Sequence, residues 1–304
     1  MERFYPIGTP GQPWTADERA AWRRARTIQR SYREEVLDRL DGVAEGLVVE
    51  GYGALGEDPE RYPLLCVRNA ALVEGAPWAL ITGGVHGYET SGVQGALAFI
   101  DEWAASYTDR LNLIVAPCVS PWAYEVINRW NPHAIDPNRS FVADSPAEEC
   151  AALMALVERA EGPFLVHVDL HETTDSDENE FRPALAARDG KPFERGIIPD
   201  GFYTVADADN PQPEFQAAIV KAVEKVTHIA PPDAEGKIIG VEVTQPGVIP
   251  YAFGDLGLCA GLTGARFTTT TEVYPDSEAA TPEICNAAQV AAARAALDHA
   301  LAQG

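Results

Sequence analysis

A histidine and a glutamate lie three residues apart near the middle of the chain's first half. His86 and Glu89 follow an apolar run and precede a helix-like segment. Side chains with this spacing share one face of a helical turn, so both can bind one metal ion. His171, at the end of a second apolar run, offers a third ligand. Two histidines, one glutamate and an open fourth position are typical of a catalytic zinc site with one Zn²⁺ per chain.

Hydrophobic periodicity predicts the elements that position these ligands. Six segments are predicted as strands: residues 46–52, 62–68, 78–82, 111–116, 164–170 and 267–273. Helices are predicted over residues 17–41, 90–103, 146–159, 213–226 and 281–301. Residues 120–141 and most of 172–247 are predicted to be loops. The pattern favours one α/β domain over residues 1–304, with a mixed sheet and helices on both faces.

The surroundings of the two histidines support a site at the carboxyl ends of strands, where open α/β sheets bind ligands. Glycines at 83, 84 and 87 surround His86 in a strand-to-helix turn, which allows close approach to a ligand. His167 shares a strand face with His171 but lies four residues deeper. We therefore interpret His167 as a hydrogen-bonded core residue and His171 as the ligand.

A second motif lies in the predicted loop over residues 120–141. It reads Asp136-Pro137-Asn138-Arg139. An arginine beside an amide is suited to binding a carboxylate through paired hydrogen bonds. Asp136 could orient the ring of a zinc-bound histidine. Taken alone, however, the motif is more typical of a surface turn.

Charge and composition exclude several classes of protein. The net charge of −23 and the pI near 4.5 disfavour nucleic acid and anionic membranes as partners. Residues 1–15 lack the pattern of a secretory signal, and no apolar stretch is long enough to span a bilayer. Five scattered cysteines without metal-ligand spacing indicate reduced thiols in a cytoplasmic protein.

Taken in chain order, the motifs resemble those of the zinc metallocarboxypeptidases of the carboxypeptidase A type. The matching elements are His86-x-x-Glu89, Asp136-x-Asn138-Arg139, His171, Tyr251 and Glu272. They occur in the family's order, and the resemblance extends from about residue 78 to the closing helix. It implies a small, bacterial-like member with a mixed, mainly eight-stranded sheet between helices, a phosphorylase/hydrolase-like fold.

The resemblance also implies the metal site. His86, Glu89 and His171 correspond to the zinc ligands of the family. Asp136 corresponds to the carboxylate behind the first zinc histidine.

The resemblance further implies catalytic and substrate-binding residues. Glu272 corresponds to the general base, and Arg129 to the arginine that polarises the scissile carbonyl. Asn138 and Arg139 correspond to the pair that holds the substrate's terminal carboxylate, and Tyr251 to the mobile tyrosine that closes over it. The expected substrate is a peptide, or a small amide with a free carboxylate, and the expected reaction is release of the C-terminal residue.

The side-chain preference does not follow from the resemblance. The interval from His86 to His171 is shorter than in the digestive enzymes, and the next segment, up to Tyr251, is longer. Asp255 would suit basic side chains, and Leu256 or Leu258 apolar ones. Alternatively, Arg182 or Arg266 would favour acidic ones.

Two other functions compete with this prediction. Zinc amidohydrolases of the aspartoacylase and succinylglutamate desuccinylase type, which act on N-acyl amino acids, share the His-x-x-Glu and Asn-Arg motifs. Against them stand the long segment before His86 and the lack of room after Glu272 for their extra β domain. A zinc- or peptide-binding protein without catalysis would lack a catalytic residue, yet Glu272 and Arg129 are both present. A cysteine nucleophile at Cys118 with His133 has no supporting pattern.

Overall fold

A mixed eight-stranded sheet forms the centre of the computed structural model, which describes residues 3–303. The strands are β1 (Leu47–Ala54), β2 (Pro63–Asn69), β3 (Trp78–Gly83), β4 (Asn112–Ala116), β5 (Phe164–Glu172), β6 (Tyr203–Asp207), β9 (Val248–Tyr251) and β10 (Phe267–Val273). Their order is β1-β2-β4-β3-β5-β10-β6-β9. A separate hairpin pairs β7 (Lys237–Ile238) with β8 (Val241–Glu242). The predicted fold class is thereby confirmed.

The four central strands run in parallel, which brings their carboxyl ends to one edge of the sheet. β3 pairs in parallel with β4 and with β5, and β5 with β10. β6 runs antiparallel to β10, so that Tyr203 at its start lies opposite Glu272 at the end of β10. In the parallel β5–β10 pair, Glu272 is also in register with His171. Residues far apart in sequence therefore meet at one rim.

Helices flank the sheet. They are α1 (Ala16–Arg24), α2 (Asp38–Leu40), α3 (Thr90–Glu102), α4 (Pro121–Glu125), α5 (Glu148–Glu158), α6 (Arg182–Arg188), α7 (Pro213–Val223), α8 (Phe253–Leu256) and α9 (Pro282–Gln303). Short π-helical turns lie at Arg33–Leu37 and Asp177–Phe181, and 3₁₀ turns at Ala104–Tyr107, Pro137–Arg139 and Cys259–Gly261. α3, α7 and α9 pack side by side, and α5 packs against β1.

The threonine run of β10 shows how a polar sequence forms a buried strand. β-Branched residues fit the pleated sheet, but each hydroxyl needs a partner once it is buried. Thr269 and Thr271 donate to the side-chain oxygens of Gln216 on α7 and Gln289 on α9, at 2.9 and 2.6 Å. Thr268 donates to the carbonyl of Ala260 at 2.6 Å. These bonds fix β10, and with it Glu272, against the flanking helices.

The prediction of one helix over residues 17–41 is wrong. α1 ends at Arg24, and the chain then crosses α4 in a non-helical segment. The backbone N–H of Gln29 donates to the carbonyl of Glu125 at 2.8 Å instead of continuing a helix. The side chain of Arg30 donates to the carbonyls of Tyr124 and Gly87. Tertiary hydrogen bonds thus override the helical periodicity.

Two of the predicted loops contain regular structure. The short helix α4 interrupts residues 120–141. In residues 172–247, α7 corresponds to the helix predicted over residues 213–226, whereas α6 and β6 were not predicted. β6 has only five residues, which is too few for a clear periodic pattern.

No helix within residues 3–303 is both long and apolar enough to cross a membrane.

Candidate active site

His86, Glu89 and His171 come together at the carboxyl edge of the sheet as a buried group that could hold a metal ion. Their ligand atoms lie within 4.8 Å of one another. The Nδ1 atom of His86 is 2.7 Å from Glu89 Oε1, and the Nδ1 atom of His171 is 2.7 Å from Glu89 Oε2. All three side chains are almost inaccessible to solvent. One nitrogen of each imidazole therefore faces the carboxylate of Glu89.

The outer nitrogens of both imidazoles are held by carboxylates. His86 Nε2 lies 3.0 Å from Asp136 Oδ1, and His171 Nε2 lies 2.7 Å from Asp169 Oδ2. A histidine held in this way has its tautomer and ring orientation fixed, as metal-binding histidines do. Glu89 Oε2 is buried without a hydrogen bond of good geometry, although it is close to His171. This donor set and its unsatisfied oxygen fit a divalent metal such as zinc.

Electrostatics keep the carboxylate of this group ionised. Burial by itself would raise the pKa of Glu89, but the charges of His171 and His86 outweigh it and lower the pKa to about 2. Burial would likewise lower the pKa of His171, yet Asp169 and Glu89 raise it well above its usual value. The carboxylates of this group thus favour positive charge beside them, which a metal ion would supply.

Backbone geometry explains the glycines around His86. Gly84 has φ of 63°, in the left-handed region that glycine adopts without strain. A Cβ on Gly87 would lie 2.0 Å from the backbone of Ala123 at α4. Only glycine allows the loop to pack this closely.

Glu172 ties the helix that follows this loop to the strand that carries His171. Its two carboxylate oxygens accept from the N–H groups of Thr90 and Ser91 at 3.0 and 2.8 Å, at the start of α3. A carboxylate at a helix N-terminus satisfies free N–H groups and interacts well with the helix dipole. These two hydrogen bonds fix the position of Glu89, just before α3, relative to His171 on β5.

Asp136 links the metal-binding group to Arg129. Its Oδ2 accepts from Arg129 Nε at 3.1 Å, while Oδ1 faces His86 and accepts from the N–H of Asn138 at 3.0 Å. Nη1 of Arg129 also lies 3.3 Å from the hydroxyl of Tyr88 and 3.5 Å from Asp177 Oδ1. These contacts hold Arg129 beside the candidate metal ligands.

Glu272 lies next to His171 in the neighbouring strand and faces the same cleft. Thr173 donates to its Oε2 at 2.8 Å, and the hydroxyl of Tyr203 is 2.7 Å from Thr173 Oγ1. Burial raises the pKa of Glu272 to about 8, and Glu89 acts in the same direction against the opposing effect of His171. A carboxyl with a raised pKa has greater affinity for a proton and suits a general base.

The remaining predicted substrate residues line one cleft with Glu272. Its volume is about 640 Å³, and Asn138, Arg139 and Tyr251 contribute to its walls. The side-chain oxygen of Asn138 accepts from the N–H of Cys259 at 2.8 Å, which fixes the amide. Arg139 makes no ion pair within residues 3–303 and is exposed to solvent. Tyr251 lies on the edge strand β9 and is partly buried.

The residues considered as determinants of the substrate's side-chain preference divide into two groups. Arg182 lines the cleft and pairs with Glu178. The other four, Asp255, Leu256, Leu258 and Arg266, do not line it. Arg266 is exposed elsewhere and donates to the carbonyl of Gln303.

Several residues of the site were not predicted. Asp169 lies two residues before His171 and so on the same strand face, a signal that would have identified it. Asp177 and Tyr88, which contact Arg129, carry no such signal because their segments meet only in the folded chain. His167 is fully buried with Nε2 3.2 Å from Thr82 Oγ1, and burial lowers its pKa to about 4. It is the core histidine that we expected.

Comparison with known proteins supports the fold. No family model matches the chain, and no curated protein matches its sequence. A crystal structure from Shewanella amazonensis, described as a candidate metallopeptidase, has a TM-score of 0.67 at 19% identity and covers 90% of this chain and 98% of its own. A metallo-carboxypeptidase from Burkholderia cenocepacia has a TM-score of 0.60 at 14% identity, over 96% of this chain and 70% of its own. An ectoine utilization protein from Ruegeria pomeroyi has a TM-score of 0.51 at 19% identity, and the match covers 86% of this chain and 68% of its own.

These structures define the class of fold. The chain has the zinc-carboxypeptidase-like fold, with a mixed eight-stranded sheet flanked by helices. Within that fold, a His, Glu, His group at the carboxyl edge of the sheet could bind a metal ion.

Proposed function

We propose that this protein is a zinc-dependent metallocarboxypeptidase that removes C-terminal residues from peptides. One observation carries the proposal. The metal-binding group of His86, Glu89 and His171 shares a cleft with the buried carboxyl of Glu272 and the exposed guanidinium of Arg139. A metal site, a base and a carboxylate-binding group within one cavity are the parts that C-terminal hydrolysis needs.

Glu272 is the general base of the proposed reaction. Bound zinc would lower the pKa of a water molecule and polarise the scissile carbonyl. Glu272 takes a proton from the attacking water and passes it to the leaving nitrogen. The hydroxyl of Thr173 holds one of its carboxylate oxygens and leaves the other for the water.

Arg129 stabilises the negative charge that develops on the carbonyl oxygen. Its guanidinium is held by Asp136 and lies close to Asp177, so the donors do not need to reorganise during the reaction. Pre-oriented donors of this kind are the most effective form of transition-state stabilisation.

Arg139 and Asn138 select the end of the peptide. The guanidinium of Arg139 has no carboxylate partner within the described residues, so the terminal carboxylate of a substrate can pair with it. A clamp at a fixed distance from the metal-binding group places only the last peptide bond beside Glu272. Tyr251 is in the wall of the same cleft, where it can cover the bound residue.

The proposal is tested by measuring zinc content together with amino-acid release from a mixed library of peptides. We expect one zinc per chain and release of C-terminal residues that stops when a chelator removes the metal. Readdition of zinc should restore the release. Peptides with amidated C-termini serve as the matched control and should be cut poorly. Zinc binding without any peptide hydrolysis would contradict the proposal.

A zinc amidohydrolase acting on N-acyl amino acids is the second candidate. The short interval between His86 and His171 favours it. The two functions share a metal, a base and a carboxylate clamp. Parallel assays with acylated dipeptides and N-acetyl amino acids separate them, because a carboxypeptidase hydrolyses the former faster.

A further inference from the structure

Arginine is concentrated in the cleft although the chain as a whole is strongly acidic. The cleft is lined by Arg19, Arg129, Arg139, Arg182 and Arg188. Arg129 and Arg182 are each paired with acidic side chains, and Arg139 is the proposed clamp for the terminal carboxylate. The proposed reaction leaves Arg19 and Arg188 without a role.

Arg19 and Arg188 converge on one backbone oxygen. Nη1 of Arg19 lies 3.3 Å from the carbonyl oxygen of Ala134, and Nη1 of Arg188 lies 3.0 Å from the same atom. Ala134 has φ of 56°, a left-handed conformation that is unfavourable for alanine and must be held by the surrounding structure. Two guanidinium groups from α1 and the end of α6 are thus held side by side.

The pair carries an uncompensated positive charge. Arg188 donates through Nε to Asp189 at 2.9 Å, and its guanidinium lies over the ring of Trp130, 4.6 Å from the centroid. Arg19 donates only to the backbone carbonyls of His133 and Ala134, and no carboxylate in residues 3–303 forms an ion pair with it. Because only Arg188 is paired with a carboxylate, the two cations repel each other, and a bound anion would offset that repulsion.

Guanidinium donors that remain free suit a carboxylate. A planar guanidinium binds carboxylate oxygens through two parallel hydrogen bonds. Among the residues that the structure describes, only Nη1 of Arg19 has a protein partner, so its other nitrogens are available. A cleft of about 640 Å³ is also large enough for more than a terminal residue.

We propose that Arg19 and Arg188 form a second carboxylate subsite, so that the preferred substrates are acidic. Such a substrate carries one carboxylate for Arg139 and another for the Arg19–Arg188 pair. This inference rests on the proposed function and specifies the substrate class of the same cleft.

The test uses the zinc-loaded protein and acetylated tripeptides with free C-termini. Glu or Gln occupies each position in turn, with Ala elsewhere, so each pair differs only in one negative charge. At one position we expect kcat/KM for Glu to exceed that for Gln by about tenfold, the effect of one charge-assisted contact. Arg19→Gln and Arg188→Gln should each bring this ratio close to one.

Arg266→Gln is the matched control, because it removes the same charge from an exposed site outside the cleft. It should retain the wild-type ratio. Arg188 packs on Trp130 and its variant could fold poorly, whereas Arg19 is only half-buried on α1 and its variant keeps the test decisive. Equal rates for Glu and Gln at every position would overturn the inference. So would a Glu preference that survives in the Arg19 variant.

A binding experiment separates failure of the subsite from failure of the proposed function. If no peptide is cleaved, the carboxypeptidase proposal fails, and the subsite is tested by calorimetry on Glu272→Gln protein. N-acetylglutamate should bind about tenfold more tightly than N-acetylglutamine. Adding Arg19→Gln should remove the difference. Equal affinities for the two probes in the protein with Arg19 intact would reject the subsite.

Discussion

The two ends of the cleft are built in different ways. At the metal end, His86 and His171 are buried, and each imidazole lies between two carboxylates. At the arginine end, Arg19 and Arg188 are partly exposed and held mainly by the backbone oxygen of Ala134. The metal end follows strand termini, whereas the arginine end comes from α1 and α6.

This difference separates chemistry from recognition. Reacting groups need positions fixed to a fraction of an ångström, and rigid strand ends with a second layer of hydrogen bonds provide them. Recognition of a charged side chain tolerates looser placement, and surface helices and loops can vary without disturbing the sheet. Substitutions at the two ends should therefore affect different quantities.

Glu272→Gln should have the largest effect on turnover. The amide cannot accept the proton of the attacking water, so we expect kcat to fall by roughly 10²–10⁴-fold or more. Zinc content should not change, since Glu272 does not belong to the metal-binding group. Metal analysis and steady-state kinetics on the same preparation check both statements. Turnover at the wild-type rate would remove Glu272 from the mechanism.

Asp169→Asn and Asp136→Asn should weaken metal binding. Each aspartate holds the outer nitrogen of one histidine, and loss of such a partner typically costs roughly 10–100-fold in metal affinity or activity. Competition with a chromogenic chelator measures the affinity. Arg19→Gln is the control at the other end of the cleft and should leave zinc affinity unchanged. A loss of zinc affinity in Arg19→Gln would contradict the conclusion that the two ends of the cleft act separately.

Arg139→Ala should act on substrate binding and not on the metal. We expect kcat/KM to fall about tenfold for peptides with a free C-terminus, because the variant lacks a charged partner for the carboxylate. Amidated peptides should be affected much less. Both series are measured with the same acyl group and leaving residue. An equal loss in the two series would exclude Arg139 as the clamp.

A buried carboxyl away from both ends of the cleft should affect folding stability and provides a contrast to Asp136 and Asp169. Glu149, on α5, is 1% exposed, and its Oε1 has no hydrogen-bond partner in the described part of the chain. Burial raises its pKa to about 7 from the usual 4.5. The folded protein therefore holds a proton that the unfolded chain releases, and this contribution to stability is lost as pH rises from about 4.5 through 7.

Glu149→Gln should remove the loss of stability that accompanies the rise in pH. The variant should gain on the order of 3 kcal/mol over the wild type at pH 8, and the difference should vanish near pH 4. Urea unfolding at several pH values measures it. Glu158→Gln, an exposed carboxylate on the same helix, is the control and should show no pH-dependent difference. A difference that stays constant with pH would show that Glu149 titrates normally.

The sequence determined the metal end more fully than the arginine end. His86, Glu89 and His171 follow apolar runs, and parallel strands bring such positions to one edge whatever the rest of the chain does. The segment over residues 172–247 was predicted poorly, because its short elements are stabilised by contacts and not by their own periodicity. Arg182 was a candidate from sequence, but nothing in the sequence distinguished it from Arg266, which lies outside the cleft.

The sequence by itself thus determined the class of fold and the set of residues able to bind a metal. Strand periodicity and ligand spacing are local properties, and they survive in a chain read without its tertiary structure. Only the tertiary structure decided which arginines share the cleft. Arg19 and Arg188 meet because α1 and α6 both pack beside Ala134, whose carbonyl oxygen bonds to both. No local pattern encodes that contact, since it depends on where the whole chain places three distant segments.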